Sequence, residues 1–336
     1  MKYRFFSLIW GLIAFFCGCS EEKSEVHPRE FELLDSIVYR IESQLYPLEE
    51  NIDELSAYAE YLFAHKEQFA LEAHKEQYKE TDQGVIFREG GKGDVSSVFV
   101  SNISPDKPSV INQVYYTEAL DSAFSQVLVD LPLVSQVYFN TRLQMCRIYP
   151  QLDVLSVFED DLDLTKFNFY FMADEVRNPE KKRKWLEDIY VDPAGRGWIL
   201  SLIHPVYHNQ ELQGVIGLDV TVNDLISEFL SYKDKKLVLV DESGNVVAGT
   251  SDAIEILKLP PLRNHAYVET INSNNFRKED YNLFKSKSKE VRKMISKFIL
   301  EKDNKFILGG EYSTKNYKAL CRPLDLIEWY LIDIGG

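Results

Sequence analysis

Residue types that do chemistry are plentiful in this 336-residue chain, but few fall at spacings that chemistry requires. His204 and His208 share one face of a segment that reads as a strand, where four residues span roughly 13 Å, too far for one metal ion. Pro205 beside His204 argues for a structural turn. Gly90-Gly-Lys-Gly93 lacks the Lys-Ser/Thr ending of a phosphate-binding loop and reads as a turn. The acidic run 158–163 lacks the glycine and closing glutamate of a calcium loop and reads as solvated. No Gly-x-Ser-x-Gly, Cys–His pairing or zinc-protease pattern is present. The sequence therefore calls for no catalytic residue, no metal and no cofactor. What it offers is acid and aromatic surface: 53 Asp and Glu against 38 Lys and Arg give a net charge of −15, and there are 20 Phe and 19 Tyr. That balance argues against nucleic acid and is compatible with a cationic or zwitterionic small molecule.

The elements that must position such groups are legible in the hydrophobic pattern. With 45% hydrophobic and 27% charged residues the chain is globular and long enough for two modules. At the N-terminus Lys2 and Arg4 precede an uncharged stretch over 5–16. This is shorter than the roughly 20 residues that span a bilayer and has the form of a signal-peptide core. Residues 21–29 are a polar tether. Leu34, Val38, Ile41, Leu45, Leu48, Ile52, Leu55, Ala59 and Leu62 then repeat at alternating spacings of four and three, predicting a long helix with one apolar seam. Pro47 is expected to kink or split it, and the seam is expected to pack along the chain's own domains rather than zip to a second copy. From about Gly84 the period shortens. Strands are predicted at 97–101, 134–139 and 145–149, and a helical stretch over 114–129. A short helix is expected from Asn178-Pro179, carrying Trp185. A hairpin is predicted over 197–222, turning at 208–211, and a linking helix over 223–232. A second unit follows: a hairpin at 236–249, helices, and three closing strands. Cys146 and Cys321 fall in different units and are expected to remain two unlinked thiols.

Two resemblances extend this reading. Gly18-Cys19 after the apolar stretch resembles the lipobox of bacterial lipoproteins, although Phe16 departs from the usual small aliphatic residue. The resemblance implies a signal peptide over 1–18, acylation of Cys19 as a membrane anchor, and a periplasmic-side location in the cell envelope. Ser20, in place of an acidic residue, favours the outer membrane. The second resemblance rests on Phe169-Tyr170-x-x-Ala173, Asn178-Pro179, Trp185, Tyr190-x-Asp192-Pro-Ala-Gly195-x-Gly-Trp198, Pro205-Val-Tyr207 and Gly214-Val-Ile-Gly-x-Asp219-Val. A long helix leading into two PAS-like units with these motifs in order resembles the double Cache (PDC-type) extracellular sensor domain. It implies an α+β fold with a tether at 19–29, a stalk helix over 30–78, a membrane-distal ligand-binding module over 79–232, and a second PAS-like antiparallel-sheet module over 233–336.

In the amino-acid-binding branch of that family an Arg and an aromatic pair grip the ligand carboxylate, and a Tyr-x-Asp strand and a later Asp grip the ammonium. Carried over, Tyr170, Tyr190, Asp192 and Asp219 match, but the Arg position falls on Phe167 and the Trp position on Phe169. The resemblance thus implies a ligand site of Phe169, Tyr170, Tyr190, Asp192 and Asp219 without its guanidinium. Two carboxylates and ring faces suit an ammonium, each cation–π contact adding about 0.5–2 kcal/mol. The expected ligand is a small amine. An amino acid whose carboxylate meets Arg142, Arg147 or Arg177 is the close alternative. Against these stands a structural reading in which Tyr190 and Asp192 only shape the turn before Gly195 and Asp219 caps the helix near Asn223. The expected function is a lipid-anchored solute-binding sensor, not an enzyme, signalling through a separate membrane partner such as a sensor kinase or chemoreceptor. An envelope scaffold that binds no ligand and a lipid-anchored hydrolase are the alternatives.

Overall fold

The computed structural model describes residues 28–90, 95–186, 188–263, 267, 270, 276–309 and 316–335. The leader and Cys19 lie outside the described residues, as does most of the glycine-rich turn. Helix α1 (Glu32–Ala64) opens with Glu32 and Asp35 in its first turn, where the helix dipole favours acids. It runs unbroken through Pro47, so the expected split does not occur. Leu45 and Leu48, one turn apart around the proline, are fully buried and hold the helix to its bed. The seam packs along the chain's own strands, as expected, with Ile37 rather than Val38 taking the fully buried place. α1 ends at Ala64, well short of 78, where the His65 backbone leaves helical geometry at φ −121° and ψ 28°. A short α2 (Lys66–Glu72) and a 3-10 turn (Lys75–Gln77) fill the remainder.

The first sheet contains β1 (Tyr78–Glu80), β2 (Ile86–Arg88), β3 (Ser97–Val100), β4 (Gln136–Thr141), β5 (Met145–Tyr149), β6 (Lys184–Trp185), β7 (Tyr190–Val191), β8 (Trp198–His208) and β9 (Glu211–Thr221). Their order is β1-β2-β3-β5-β4-β9-β8-β6, with β7 also paired to β8. Trp185 therefore sits on an edge strand and not on a helix. Its indole donates to Glu49 of α1 at 3.1 Å. The β8–β9 hairpin turns through Asn209 and Gln210, both at positive φ, the requirement of a tight primed turn.

Alternation of side chains divides this sheet into two faces. Val137, Phe139, Leu200, Leu202, Ile216, Leu218 and Val220 face the large core shared with α1, α3 (Lys107–Tyr116) and α4 (Leu120–Asp130). Tyr138, Cys146, Ile148, Ile203 and Val215 face the other way, into a second cluster. That cluster is covered by α5 (Val154–Val157), α6 (Asn168–Phe171) and the loops around them. The run 158–163 is anchored by its buried Phe158, while residues 159–161 are exposed.

After α7 (Val222–Leu225), the second sheet comprises β10 (Leu237–Asp241), β11 (Val246–Gly249), β12 (Lys305–Leu308), β13 (Tyr317–Pro323) and β14 (Trp329–Gly335), in the order β11-β10-β14-β13-β12. Between β11 and β12 lie α8 (Ser251–Ile256) and α9 (Lys289–Ile299). α9 is started by Ser288 accepting from the Val291 N–H and buries Val291, Met294, Ile295, Phe298 and Ile299. α1 reaches this sheet as well. It touches β13 and β14, and Asp35 pairs with Arg322. Cys146 and Cys321 lie in different sheets, both buried and unpaired. No helix among the described residues is long and apolar enough to cross a membrane.

Candidate ligand-binding site

Strand register brings the first acid to the middle of the sheet. Asp219 on β9 lies opposite Gln136 of β4 on one side and Ser201 of β8 on the other. Its side chain is fully buried, and its carboxylate accepts from the Ser201 hydroxyl and the Gln136 amide. Ser201 in turn accepts from the Tyr190 hydroxyl at 2.7 Å, and Gln136 accepts from Arg196 Nε at 2.7 Å. Asp219 does not cap the following helix; Thr221 does, accepting from the Asp224 N–H at 3.0 Å. Asp192, only 5% exposed, accepts from the Ala194 and Arg196 N–H groups at 2.9 and 3.1 Å. It does shape the turn before Gly195, which needs a glycine at φ +88°, and it also faces the space in front of Asp219.

That space is a small cavity of about 30 Å³. The sheet supplies its floor: Gln136, Tyr138, Asn140, Cys146, Ile148 and Asp219. Phe158, Leu162, Leu164, Phe167 and Phe169 form its cover, and Tyr190, Asp192, Pro193 and Ala194 its rim. Phe167 and Phe169 stack at 5.1 Å with a 5° interplanar angle, and Phe169 meets Tyr138 at 5.4 Å and Tyr190 at 6.3 Å. Four of the five residues expected at the site thus surround one hollow. Tyr170 does not line it; its ring packs in the apolar cluster alongside.

The electrostatics are one-sided. Among the described residues no Lys, Arg or His lines the cavity. Burial pushes the Asp219 carboxyl up to about 8, and the charge of Asp192 adds to this, against the hydrogen bonds from Ser201 and Gln136. Burial likewise holds the Tyr138 and Tyr190 hydroxyls well above their ordinary range, so both are neutral donors. The three arginines considered for a ligand carboxylate are engaged elsewhere. Arg142 pairs with Glu211 at 3.0 Å, and Arg177 pairs with Asp174. Arg147 alternates with Cys146 and Ile148 on β5, so it points to the opposite face, where it pairs with Asp121 at 2.7 Å. Arg196 is held at the edge by Gln136.

Gln136, Tyr138, Asn140 and Ser201 were not expected at the site from sequence, although a period of two along β4 and β8 places them on the face of Asp219. Gly217 carries a related signal. It lies opposite Tyr138, and a Cβ there would sit 2.0 Å from Tyr138 Cζ. Only a bare backbone lets the Tyr138 ring lie across β9. Gly217→Ala is expected to displace that ring, lowering stability by about 1–3 kcal/mol in urea titrations and weakening ligand binding in calorimetry.

A long helix feeding two antiparallel sheets, the first with a covered acid-and-aromatic hollow, is the double Cache fold. Residues 117–239 match the model of the Gammaproteobacterial periplasmic sensor domain. Among solved structures, the ligand-binding domain of the Pseudomonas fluorescens chemoreceptor CtaA in complex with L-alanine superposes with a TM-score of 0.50. It is 12% identical, with 91% of this chain and 95% of that chain covered. The ligand-binding domain of the Pseudomonas aeruginosa PAO1 amino acid chemoreceptor PctB with L-Gln gives 0.49 at 12% identity, covering 92% and 90%. That of PctC with GABA gives 0.47 at 15%, covering 92% and 98%. No curated protein matches the chain. At 12% identity, what the CtaA domain shares with this chain is the fold.

Proposed function

We propose that this protein is a lipid-anchored extracytoplasmic sensor that binds a small amine or amino acid in the cavity of its first module and signals through a separate membrane partner, a sensor kinase or chemoreceptor. The observation that carries the reading is the pair of buried acids, Asp192 and Asp219, facing one ring-lined hollow that no cationic side chain among the described residues lines. Two carboxylates so placed repel when both are charged, and a ligand ammonium relieves that repulsion while Tyr190, Phe169 and Tyr138 offer ring faces. An amine without a carboxylate is placed ahead of an amino acid, because Phe167 occupies the position where a guanidinium would grip one. We assign the binding module to 79–232, the second module to 233–336 and the anchor to Cys19. The protein acts by occupancy rather than turnover.

Thermal-shift and calorimetric screening against primary amines, their N-acetyl derivatives and amino acids tests this. Primary amines should raise the melting temperature and bind, and the uncharged N-acetyl forms should do neither. A panel without a single stabilising amine or amino acid would move the protein to the scaffold reading. Mass spectrometry of the membrane-extracted protein should show acyl chains on Cys19.

A further inference from the structure

Two polar atoms of the cavity lack a hydrogen-bond partner among the described residues, the Tyr138 hydroxyl, which lies beside the ammonium site, and the side-chain oxygen of Asn140, which does not. Asn140 lies on β4 two residues beyond Tyr138, opposite Val215 of β9 and Cys146 of β5. It is 3% exposed and lines the cavity, yet its side-chain oxygen has no hydrogen-bond partner among the described residues. Buried polar groups are nearly always paired. The acid end of the cavity is marked on the same strand by Gln136, directly across from Asp219. Four residue steps along the strand lead from Gln136 to Asn140, about 13 Å. A hydrogen bond of about 3 Å at each end leaves about 7 Å between two polar groups of one bound molecule. Ile148, Phe167 and Phe169, which suit methylene groups, also line the cavity.

We infer that Asn140 is a specificity residue, and that the cavity, widened by displacement of its Phe167 and Phe169 cover, takes a molecule with an ammonium at one end and a neutral hydrogen-bonding group, such as a hydroxyl, roughly 7 Å away along a short aliphatic chain. This rests on the ammonium reading of Asp192 and Asp219. A hydroxyl both donates and accepts, so it serves either face of the amide. A second ammonium is disfavoured, because among the described residues the acids lining the cavity are Asp192 and Asp219, both at the other end.

Calorimetry on the full chain with pentylamine, 5-aminopentan-1-ol and 1,5-diaminopentane tests the inference. The amino alcohol should bind about tenfold more tightly than pentylamine or better, and the diamine should show no such gain. Asn140→Leu should erase that preference, bringing pentylamine and the amino alcohol to equal affinity. Asn140→Asp, which places a carboxylate at the far end, should turn the preference toward the diamine. Equal binding of pentylamine and the amino alcohol, or a preference that survives both substitutions, overturns the inference while the ammonium site stands. Failure of all three compounds to bind overturns both together.

Discussion

Asp219→Asn is expected to abolish amine binding and, at the same time, to make the empty protein more stable at neutral pH. Removing one partner of a buried, hydrogen-bonded charge pair costs about 2–5 kcal/mol of binding, a loss of roughly thirtyfold to several thousandfold. Stability moves the other way. The Asp219 carboxyl is held at about 8 in the folded protein against 3.8 in the ordinary state, so between those values the folded chain holds a proton that the unfolded chain has released. Its contribution to stability is complete below 3.8 and is lost as pH rises through 8. An amide stays neutral throughout and escapes that loss. The same carboxyl must ionise to pair with an ammonium. Amine binding to the unsubstituted protein should therefore release a proton below pH 8 and tighten as pH rises toward it. Isothermal titration in buffers of different ionisation enthalpy reads the proton directly. Affinity that stays flat from pH 6 to 8, or persists in Asp219→Asn, would remove Asp219 from the site.

Asp121→Asn should have the largest effect on folding. Its carboxylate holds two guanidinium groups beneath the opposite face of the sheet, Arg147 at 2.7 Å and Arg88 on its other oxygen. Arg147 is fully buried and also donates to the Val114 carbonyl at 2.8 Å, and the Arg88 side chain is 2% exposed. Burial alone would push the Asp121 carboxyl up, but Arg147 and Arg88 together hold it below its ordinary value. With the carboxylate gone, Arg147 loses its acid partner and Arg88 keeps Glu118, whose oxygen is 3.6 Å away. Breaking a buried ionic cluster in this way costs about 3–5 kcal/mol, read as a lower urea midpoint. The sign of the pH dependence is opposite to that of Asp219. The contribution of Asp121 is present above its ordinary value of 3.8 and is lost as pH falls through its depressed one. Acid titration of the two variants should separate these opposing slopes.

Which parts of this were legible beforehand follows from the range of the interactions involved. The α1 seam, the β8–β9 hairpin and the final strands are written in local periodicity, and they stand where the spacing placed them. Pro47 misled because propensity is local, whereas both flanking turns of α1 are held by buried leucines against distant strands. Trp185 misled in the same way, since Asn178-Pro179 is a helix-start signal that pairing with β8 overrides. Within the site, Asp192 and Asp219 were recognisable from motif order. The polar floor made by Gln136, Tyr138, Asn140 and Ser201 required knowing which strands are neighbours, which a single sequence does not state. The role of Arg147 was misjudged for a similar reason: only the parity of β5 decides which face it serves.

The unbroken course of α1 has a mechanical consequence. At about 1.5 Å per residue, its 33 residues make a rod of roughly 50 Å, bedded on the strands of both sheets. Sliding such a rod lengthwise would have to disengage every leucine and isoleucine of its seam at once. Tilting it as a stiff beam disturbs far fewer of them. Any rearrangement around Asp219 is therefore expected to leave the first sheet as a change in the beam's angle, which grows with distance from the pivot and is greatest at its far end.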